Sequence, residues 1–390
     1  MAEPFKNLLG PAVVKQAARH LQRAWAGFDA KRFSSLALDG LEALEMKARA
    51  MHVCVALEAT LPADFNTAAG VLEAALAPAP ETQAFASMHL SDQGLGGWAL
   101  WPVAEFVARR GLGQPERALE TLHAITQRFT AEWAVRPFIV AHPELTYRTL
   151  ARWALDPSPH VRRLVSEGSR PRLPWGLQLK SLVADPSPTL PLLIALQDDA
   201  SDYVRRSVAN HLNDIAKDHP EVVAAWIEAH LPDAPPERAR LLRHAARTLI
   251  KAGDRRVLKA FGLGKAFRGS ALLSLSPHRV ALGTSVQLEV ALSAGARVAQ
   301  KLAIDYAVHH VKANGGTSAK VFKGWVLTLG AGEQRTLTRR HAVKPITTRR
   351  YHAGTHHVEL LVNGQPVAEA AFELLMPSTP AARPPRRSRP

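Results

Sequence analysis

The run Ser166–Trp175, with the sequence SEGSRPRLPW, places a carboxylate, two arginines and an indole within ten residues. Gly168 is expected to end a helix directly after Glu167, and two prolines restrict the backbone that leads to Trp175. A carboxylate on a cationic surface repels phosphate groups, so it is a poor choice for binding a polyanion. It suits a reaction in which positive charge develops, as on a deoxyribose that becomes an oxocarbenium ion.

Two further carboxylates are candidates for the same chemistry. Asp214 lies ten residues after Val204 on the following predicted helix, and Glu132 lies upstream in the sequence TAEW. The alternative for Glu132, Glu167 and Asp214 is that each is an ordinary surface or ion-paired carboxylate. The residue types alone leave both interpretations open.

The candidate residues lie on two copies of a repeated segment. The sequence DPSPHVRRLV, which begins at Asp156, returns as DASDYVRRSV from Asp199, 43 residues later. An acidic, turn-rich start followed by Val-Arg-Arg at the beginning of an apolar helix is typical of HEAT-type repeats, and the period agrees. Helical periodicity continues through most of the first 261 residues and includes predicted helices over Trp175–Ala184 and Glu237–Lys251. We therefore expect an all-α, HEAT-like repeat solenoid over residues 1–265.

Arginines at the starts of the repeat helices form a candidate DNA-binding ladder. Equivalent positions stack in a solenoid, so these side chains could follow a phosphate backbone. The ladder consists of Arg162, Arg163, Arg205 and Arg206. Arg170 and Arg172 of the run join this set, as do Arg243, Arg247 and Lys251, which share one face of a third predicted helix. The structural alternative is that each arginine bridges to an acidic residue of the neighbouring repeat; binding is favoured for the set as a whole.

After residue 262 the sequence pattern changes to that of a β-domain. Short alternating segments follow one another, and Asn314-Gly315 and Asn363-Gly364 are strong hairpin signals. Residues 268–376 are predicted to form a small all-β, immunoglobulin-like sandwich. The segment 377–390 is rich in proline, alanine and arginine, and we expect it to be a disordered basic tail.

The positive charge of the chain is concentrated where the Val-Arg-Arg repeats begin. The formal net charge of +15 divides into −2 over residues 1–147, +6 over 148–267, +7 over 268–376 and +4 in the tail. This asymmetry favours a polyanionic partner, and nucleic acid before a membrane surface, because the arginines start separate helices. The alternative is a basic protein without such a partner.

The composition of the chain argues against membrane, secreted and metal-binding proteins. The sequence has no long apolar run and no signal pattern at its start, and it has one cysteine, Cys54, so we expect a cytoplasmic protein without an internal disulfide. The pairs His309-His310 and His356-His357 lack partners at metal-ligand spacing, which favours a protein without a metal or other cofactor.

Four segments in order resemble a known family: PFKNL from Pro4, WPVAEFV from Trp101, the run Ser166–Trp175, and RHAARTLIK from Arg243. Together they are similar to the AlkC branch of bacterial alkylpurine DNA glycosylases, in the AlkC/AlkD HEAT-like repeat superfamily. The resemblance covers residues 1–265. Some members of the branch carry a C-terminal immunoglobulin-like domain, which corresponds to residues 268–376.

The resemblance implies a base excision repair enzyme that removes N3-methyladenine and related cationic N-alkylpurines from duplex DNA. It implies a concave surface that grips the duplex without enclosing the base in a deep pocket, unlike most glycosylases. Glu167 and Asp214 match the catalytic carboxylates, with Glu132 as a third. Trp175 matches an aromatic residue that contacts the lesion nucleotide. We expect a monomer that binds double-stranded DNA.

For the β-sandwich we expect a second DNA clamp that reaches the minor groove beside the lesion. Its charge of +7 motivates this hypothesis. The candidate phosphate contacts are Lys312, Lys320, Lys323, Arg339, Arg340, Arg349 and Arg350. The alternative is a domain that only packs on the solenoid.

Two other functions are compatible with the sequence. One is a HEAT-type adaptor that binds DNA or an acidic protein without catalysis. The other is a glycosylase relative that has lost activity and only recognises distorted DNA. Substitution of Glu167 or Asp214 by its amide separates these from an enzyme.

Overall fold

The computed structural model describes residues 4–79, 92–263, 265–346 and 349–376. The described residues form two compact units. The first comprises Met1–Val223 and Leu231–Ala245, and the second comprises Ala224–His230 and Ala246–Pro390. The predicted basic tail, 377–390, lies outside the described residues.

The helical part of the chain confirms the predicted all-α class. Its helices are α1 (Pro11–Ala24), α2 (Ala30–Leu38), α3 (Met46–Glu58), α4 (Phe65–Ala75), α5 (Leu100–Arg110), α6 (Pro115–Thr126), α7 (Arg136–Ala141), α8 (Pro143–Trp153), α9 (Pro159–Gly168), α10 (Lys180–Ala184), α11 (Leu190–Leu196), α12 (Asp202–Ile215), α13 (Pro220–His230), α14 (Pro236–Ala245), α15 (Arg247–Ala252) and α16 (Arg255–Ala260). A 3-10 turn at Phe5–Leu9 precedes them. In the first unit α3 packs on α5, α9 on α12, and α12 on α14, the neighbour-on-neighbour packing of a HEAT-like repeat stack.

The two copies of the repeat fold in the same way at their starts. Asp156 Oδ1 accepts a hydrogen bond from the backbone N–H of Ser158 at 2.8 Å, and Asp199 Oδ1 accepts one from Ser201 at the same distance. These aspartates form the turns that begin α9 and α12. The repeated acidic residue therefore has a structural role that accounts for its recurrence.

Two of the predicted helices differ in the structure. The helix expected over Trp175–Ala184 begins only at Lys180, because Trp175 has a left-handed φ of 64° that no α-helix accommodates. The helix expected over Glu237–Lys251 is broken at Ala246 into α14 and α15, without a proline or glycine at the break.

The β-domain is a two-sheet sandwich, as predicted. Its strands are β1 (Gly269–Ser276), β2 (Arg279–Ala281), β3 (Ser285–Ala294), β4 (Gln300–Val311), β5 (Thr317–Leu329), β6 (Gln334–Ala342), β7 (Gly354–Val362) and β8 (Gln365–Leu375). One sheet has the order β1-β3-β6 and the other β2-β8-β7-β4-β5. Alternating apolar residues of both sheets fill the core, for example Val286, Leu288 and Val290 of β3 against Leu360 of β7.

The turn between β7 and β8 confirms the Asn-Gly signal. Asn363 and Gly364 both have positive φ, at 50° and 76°, as the two-residue hairpin turn requires. The strands β2 and β8 were not predicted. β2 has only three residues and pairs in parallel with β8, whose alanines give a weak alternating signal.

Candidate active site

The candidate carboxylates Glu167 and Asp214 lie at equivalent ends of neighbouring helices. Glu167 is the penultimate residue of α9, and Asp214 is the penultimate residue of α12. The packing of α9 on α12 brings these ends together. Both residues are buried, with 5% and 1% of their surface exposed.

One arginine bridges the two carboxylates. Arg170 donates from Nη1 to Glu167 Oε1 at 2.5 Å and from Nε to Asp214 Oδ2 at 2.8 Å. Lys217 Nζ donates to the other oxygen of Asp214 at 2.7 Å. The guanidinium therefore fixes the relative orientation of two acids that lie 47 positions apart in the sequence.

A second arginine joins Glu132 to this cluster. Arg163 Nη1 donates to Glu132 Oε2 at 2.8 Å, and its Nη2 lies 3.7 Å from Glu167 Oε1. Its guanidinium also lies over the Tyr203 ring, 4.9 Å from the centroid. The structure thus places Glu132, Glu167 and Asp214 in one charge network through Arg163 and Arg170, although they come from three elements.

Gly168 allows the close approach on which this network depends. The turn that carries Glu132 lies against the end of α9, and a Cβ at position 168 would come within 2.5 Å of Val135 Cγ1. A larger residue there would push the turn away from α9. Gly168 therefore serves packing as well as the end of the helix.

Glu167 is held in its ionised form. Burial by itself would raise the pKa of the Glu167 carboxyl, but the charges of Arg163 and Arg170 and a 2.6 Å hydrogen bond from Ser207 Oγ lower its pKa below the ordinary value. The three carboxylates Glu132, Glu167 and Asp214 are matched by three cations, Arg163, Arg170 and Lys217, so the formal charges of the cluster sum to zero. Carboxylate oxygens held in fixed directions in this way stabilise a positive charge that develops beside them, because they need not reorient during a reaction.

Trp175 presents an aromatic face at the end of the run that starts at Glu167. Its side chain is 51% exposed, and its ring stacks on Trp101 with centroids 5.7 Å apart and an 11° angle between planes. Trp101 in turn stacks on Trp133 at 4.3 Å. The exposed indole is therefore the outer member of an aromatic stack whose inner member, Trp101, is buried.

The predicted arginine ladder has mostly internal contacts. Arg162 forms a two-point ion pair with Asp199 of the next repeat, at 2.6 and 3.0 Å. Arg205 donates to the carbonyl groups of Asp199 and Ala200. Arg206 is the exposed member, with 66% of its side chain accessible and Asp202 as its neighbour. Arg162 and Arg163 thus form the bridges to acidic residues of neighbouring elements that the structural alternative describes, whereas Arg205 bonds within its own repeat.

The other predicted basic residues are distributed as follows. Arg172 pairs with Asp218 at 2.7 Å through two hydrogen bonds. Arg243 lies in α14 of the first unit, whereas Arg247 and Lys251 lie in α15 of the second. The expectation that one continuous helix carries Arg243, Arg247 and Lys251 on one face is wrong, because the helix is interrupted at Ala246. All three side chains are partly exposed.

Arg136 is a site residue that the sequence pattern did not reveal. Its fully buried guanidinium donates to the carbonyl oxygens of Gly168, Arg170 and Leu177 at 2.6–2.8 Å, so it holds the loop between Glu167 and the residues after Trp175. Burial lowers the pKa of Arg136 to about 10. An arginine among the apolar residues of the sequence RPFIVA is the signal that marks it.

Ser207 is a second residue that was missed, and the repeat itself contains its signal. When the two copies are superposed in sequence, Ser207 takes the place of the buried Leu164. A hydroxyl at an apolar repeat position indicates a polar neighbour, which the structure identifies as Glu167.

The described residues contain no group of three or more histidine, cysteine or acidic side chains arranged to hold a metal ion. None of the helices in the described part of the chain has the length and apolar character needed to span a bilayer.

Comparisons with known proteins cover the β-domain separately and nearly the whole chain together. A family model described as "Uncharacterised protein YhaZ, C-terminal Ig-like domain" matches residues 270–376. The uncharacterized protein YhaZ of Bacillus subtilis (strain 168) is 35% identical over 367 residues, which is 93% of this chain and 96% of that protein. The solved structure of the Pseudomonas fluorescens alkylpurine DNA glycosylase AlkC, bound to DNA containing an abasic site analog, is 35% identical with a TM-score of 0.86. The match covers 96% of this chain and 100% of the AlkC chain.

Fold and site define a HEAT-like repeat protein in which a buried carboxylate–arginine cluster precedes an immunoglobulin-like sandwich. Since similarity to AlkC extends over nearly the whole of both chains, this chain belongs to the AlkC family with a C-terminal immunoglobulin-like domain. The resemblance seen in the sequence segments is confirmed.

Proposed function

We propose that this protein is a DNA glycosylase of base excision repair that hydrolyses the N-glycosidic bond of cationic N-alkylpurines, chiefly N3-methyladenine, in duplex DNA. The similarity to a DNA-bound AlkC structure at 35% identity over 96% of the chain is the observation that carries this proposal. The buried carboxylate–arginine cluster supports it independently, because it holds the Glu167 carboxyl ionised and in a fixed direction.

The proposed reaction needs little proton transfer. Alkylation at N3 gives the purine a positive charge, so the base leaves as a neutral molecule without a general acid. The protein then has to stabilise the cationic sugar and align a water molecule. Glu167 and Asp214 are assigned these roles in the proposal, with Glu132 as a third carboxylate, and Arg163 and Arg170 hold all three in a fixed geometry.

Trp175 is assigned contact with the lesion nucleotide. An indole face attracts a cation, and both the alkylated base and the developing oxocarbenium ion are cationic. The half-exposed position of the ring leaves one face accessible from solvent. This arrangement suits a lesion that needs a smaller reduction of the barrier than a normal purine does.

Phosphate contacts are assigned to the basic side chains with exposed surface, which are Arg172, Arg206, Arg243, Arg247 and Lys251. Arg162, Arg163, Arg170 and Arg205 support the binding surface from within, since their side chains are only 10–17% exposed and their guanidinium groups bond to the protein. We further propose that the enzyme acts as a monomer in the cytoplasm.

The test is release of free N3-methyladenine from methylated duplex DNA by the wild-type protein and by Glu167→Gln. Glu167→Gln keeps the shape of the side chain and should lower the single-turnover rate by roughly 10²–10³-fold with little change in DNA affinity. Glu73→Gln is a matched control, because Glu73 is also bound by an arginine, Arg117, but lies in α4. Base release that is equal in wild type and Glu167→Gln would contradict the assigned chemistry. DNA binding without base release by the wild type would favour the adaptor or the inactive relative.

Substrate charge provides a second test. If departure of a neutral base is the basis of catalysis, neutral lesions such as hypoxanthine should be poor substrates. Efficient release of hypoxanthine by the purified protein would exclude the proposed selectivity.

A further inference from the structure

The backbone of Trp175 is held in an unfavourable conformation. Its φ of 64° lies in the left-handed region, where a bulky residue pays a steric cost. Such a conformation persists only where surrounding contacts enforce it. The same residue carries the exposed indole that stacks on Trp101, so the contacts that enforce its backbone conformation decide where the indole lies.

Three side chains from other elements bond to the backbone around this residue. Trp133 Nε1 donates to the carbonyl oxygen of Pro174 at 3.1 Å, and Arg136 Nε donates to that of Leu177 at 2.6 Å. Lys47 Nζ, from α3, donates to the carbonyl oxygen of Trp175 itself at 2.7 Å. Hydrogen bonds therefore hold the backbone just before Trp175, just after it and at the Trp175 carbonyl group itself.

Lys47 differs from the other two contacts because it is exposed. Arg136 is fully buried, and Trp133 stacks on Trp101, so both also support the packing of the first unit. An exposed lysine that bonds to a residue 128 positions away contributes little to packing. The hydrogen bond from Lys47 to the Trp175 carbonyl oxygen can therefore be removed with little effect on the stability of the fold.

We propose that Lys47 is a positioning residue for Trp175. Its ammonium group fixes the Trp175 carbonyl and thereby holds the indole in its stacked, half-exposed orientation before DNA binds. This inference rests on the proposed function, in which Trp175 contacts the lesion nucleotide. Ordering the ring in advance removes the entropy cost of ordering it during the reaction.

The competing role for an exposed lysine here is a direct phosphate contact. The two roles differ in their signatures. A phosphate contact affects DNA affinity and its salt dependence equally for all sequences. A positioning contact affects the tryptophan stack of the free protein and the rate of the chemical step.

The experiment compares Lys47→Met, Lys47→Arg and Lys31→Met with the wild type. Lys31→Met removes the same charge from an exposed lysine of α2 and controls for electrostatic effects. Lys47→Arg keeps a donor for the carbonyl. The measurements are the near-ultraviolet circular dichroism of the free protein, which reports the stack of Trp101, Trp133 and Trp175, the single-turnover rate of N3-methyladenine release, and the salt dependence of the Kd for duplex DNA.

We expect Lys47→Met to change the near-ultraviolet spectrum and to lower the single-turnover rate by about 10-fold or more. Lys47→Arg should restore most of both, and Lys31→Met should resemble the wild type. An unchanged spectrum and rate in Lys47→Met, or a change confined to the Kd and its salt slope, would overturn the inference. If the wild type releases no base, the proposed function fails, while the spectrum still decides whether Lys47 positions Trp175.

Discussion

At the scale of single residues, the carboxylates of the candidate site are defined by their partners. Glu167 accepts hydrogen bonds from Arg170 and Ser207, and Asp214 accepts them from Arg170 and Lys217. These hydrogen bonds fix the direction of both carboxylates, and the partners of Glu167 also lower the pKa of its carboxyl. The assignment of catalytic roles to these residues is a proposal that substitution of Glu167 tests directly.

The backbone strain at Trp175 leads to a prediction about stability. Trp175→Gly and Trp175→Ala both remove the indole, so the difference between them reports the cost of the left-handed φ against the greater freedom of glycine in the unfolded chain. Trp175→Gly should have the larger free energy of unfolding, by about 1 kcal/mol, because glycine adopts this conformation without steric cost. Urea unfolding of the two variants measures the difference. Equal stabilities, or a more stable alanine variant, would show that the conformation at position 175 is not strained.

At the scale of elements, the Val-Arg-Arg repeat has divided roles. The first arginine of each copy donates to carbonyl groups at the start of its own helix: Arg162 to those of Asp156 and Pro157, and Arg205 to those of Asp199 and Ala200. The second arginines differ, since Arg163 enters the carboxylate cluster and Arg206 faces solvent. The repeat therefore preserves a structural contact, and its second position is free to take up other functions.

This division predicts opposite effects of two alanine substitutions. Arg162→Ala should lower the free energy of unfolding by about 1–3 kcal/mol, because it leaves Asp199 without its ion pair. Arg206→Ala should change stability by only about 0.5 kcal/mol but should weaken DNA binding and reduce the salt slope by about 1. Thermal unfolding and titration of duplex DNA at several salt concentrations check both. If Arg162→Ala binds duplex DNA more weakly while its stability is unchanged, Arg162 contacts phosphate as the arginine ladder predicts.

At the scale of the whole molecule, the β-sandwich carries much of the basic charge. Some of its predicted phosphate contacts have partners within the domain: Lys320 lies over Phe322, Arg339 over Trp325, and Arg349 within 2.7 Å of His310. Lys312, Lys323 and Arg350 are exposed. These three residues are therefore the preferred candidates for phosphate contacts in the expected second DNA clamp.

Replacing Lys312, Lys323 and Arg350 together by alanine should weaken DNA binding and reduce the magnitude of the salt slope. Each lost phosphate contact reduces the slope by about 0.9, because fewer counterions are released. Fluorescence anisotropy with a labelled duplex at 50–200 mM salt measures this. A matched triple variant at Lys15, Lys31 and Arg32, exposed residues of α1 and α2, controls for total charge. Equal slopes in the two triple variants would contradict the clamp.

Buried histidines predict that the protein loses stability in mild acid. Burial lowers the pKa of His310 to about 3 and that of His211 and His341 to about 4. These groups are neutral in the folded protein, whereas the unfolded chain binds protons from about pH 6.5 downward. Their contribution to stability is therefore complete above pH 6.5 and is lost as the pH falls, by up to about 1.4 kcal/mol per pH unit for each histidine.

Urea unfolding at pH 7 and pH 5 measures this loss. The pH dependence should become shallower in His341→Gln, which removes one of the groups that must take up a proton on unfolding. A free energy of unfolding that is the same at both values would show that these histidines are not buried in their neutral form.

Much of the architecture could be predicted from neighbouring residues. The repeat at Asp156 and Asp199 predicted the HEAT-like stack, and the Asn363-Gly364 signal predicted the turn between β7 and β8, because turns and helix starts depend on contacts within a few positions. The break in the helix at Ala246 and the short strand β2 were missed. Their local sequences carry no strong signal.

The sequence by itself determined the fold class and the family resemblance, because both depend on local periodicity and on short motifs. Only the tertiary structure decided that Arg170 joins Glu167 to Asp214, that Arg162 and Arg205 face inward, and that Lys47 bonds to Trp175. The physical reason is that an arginine or carboxylate has the same local signal whether it contacts solvent or a buried partner. Burial and the choice of a distant partner arise only when α9 packs on α12 and desolvates their ends.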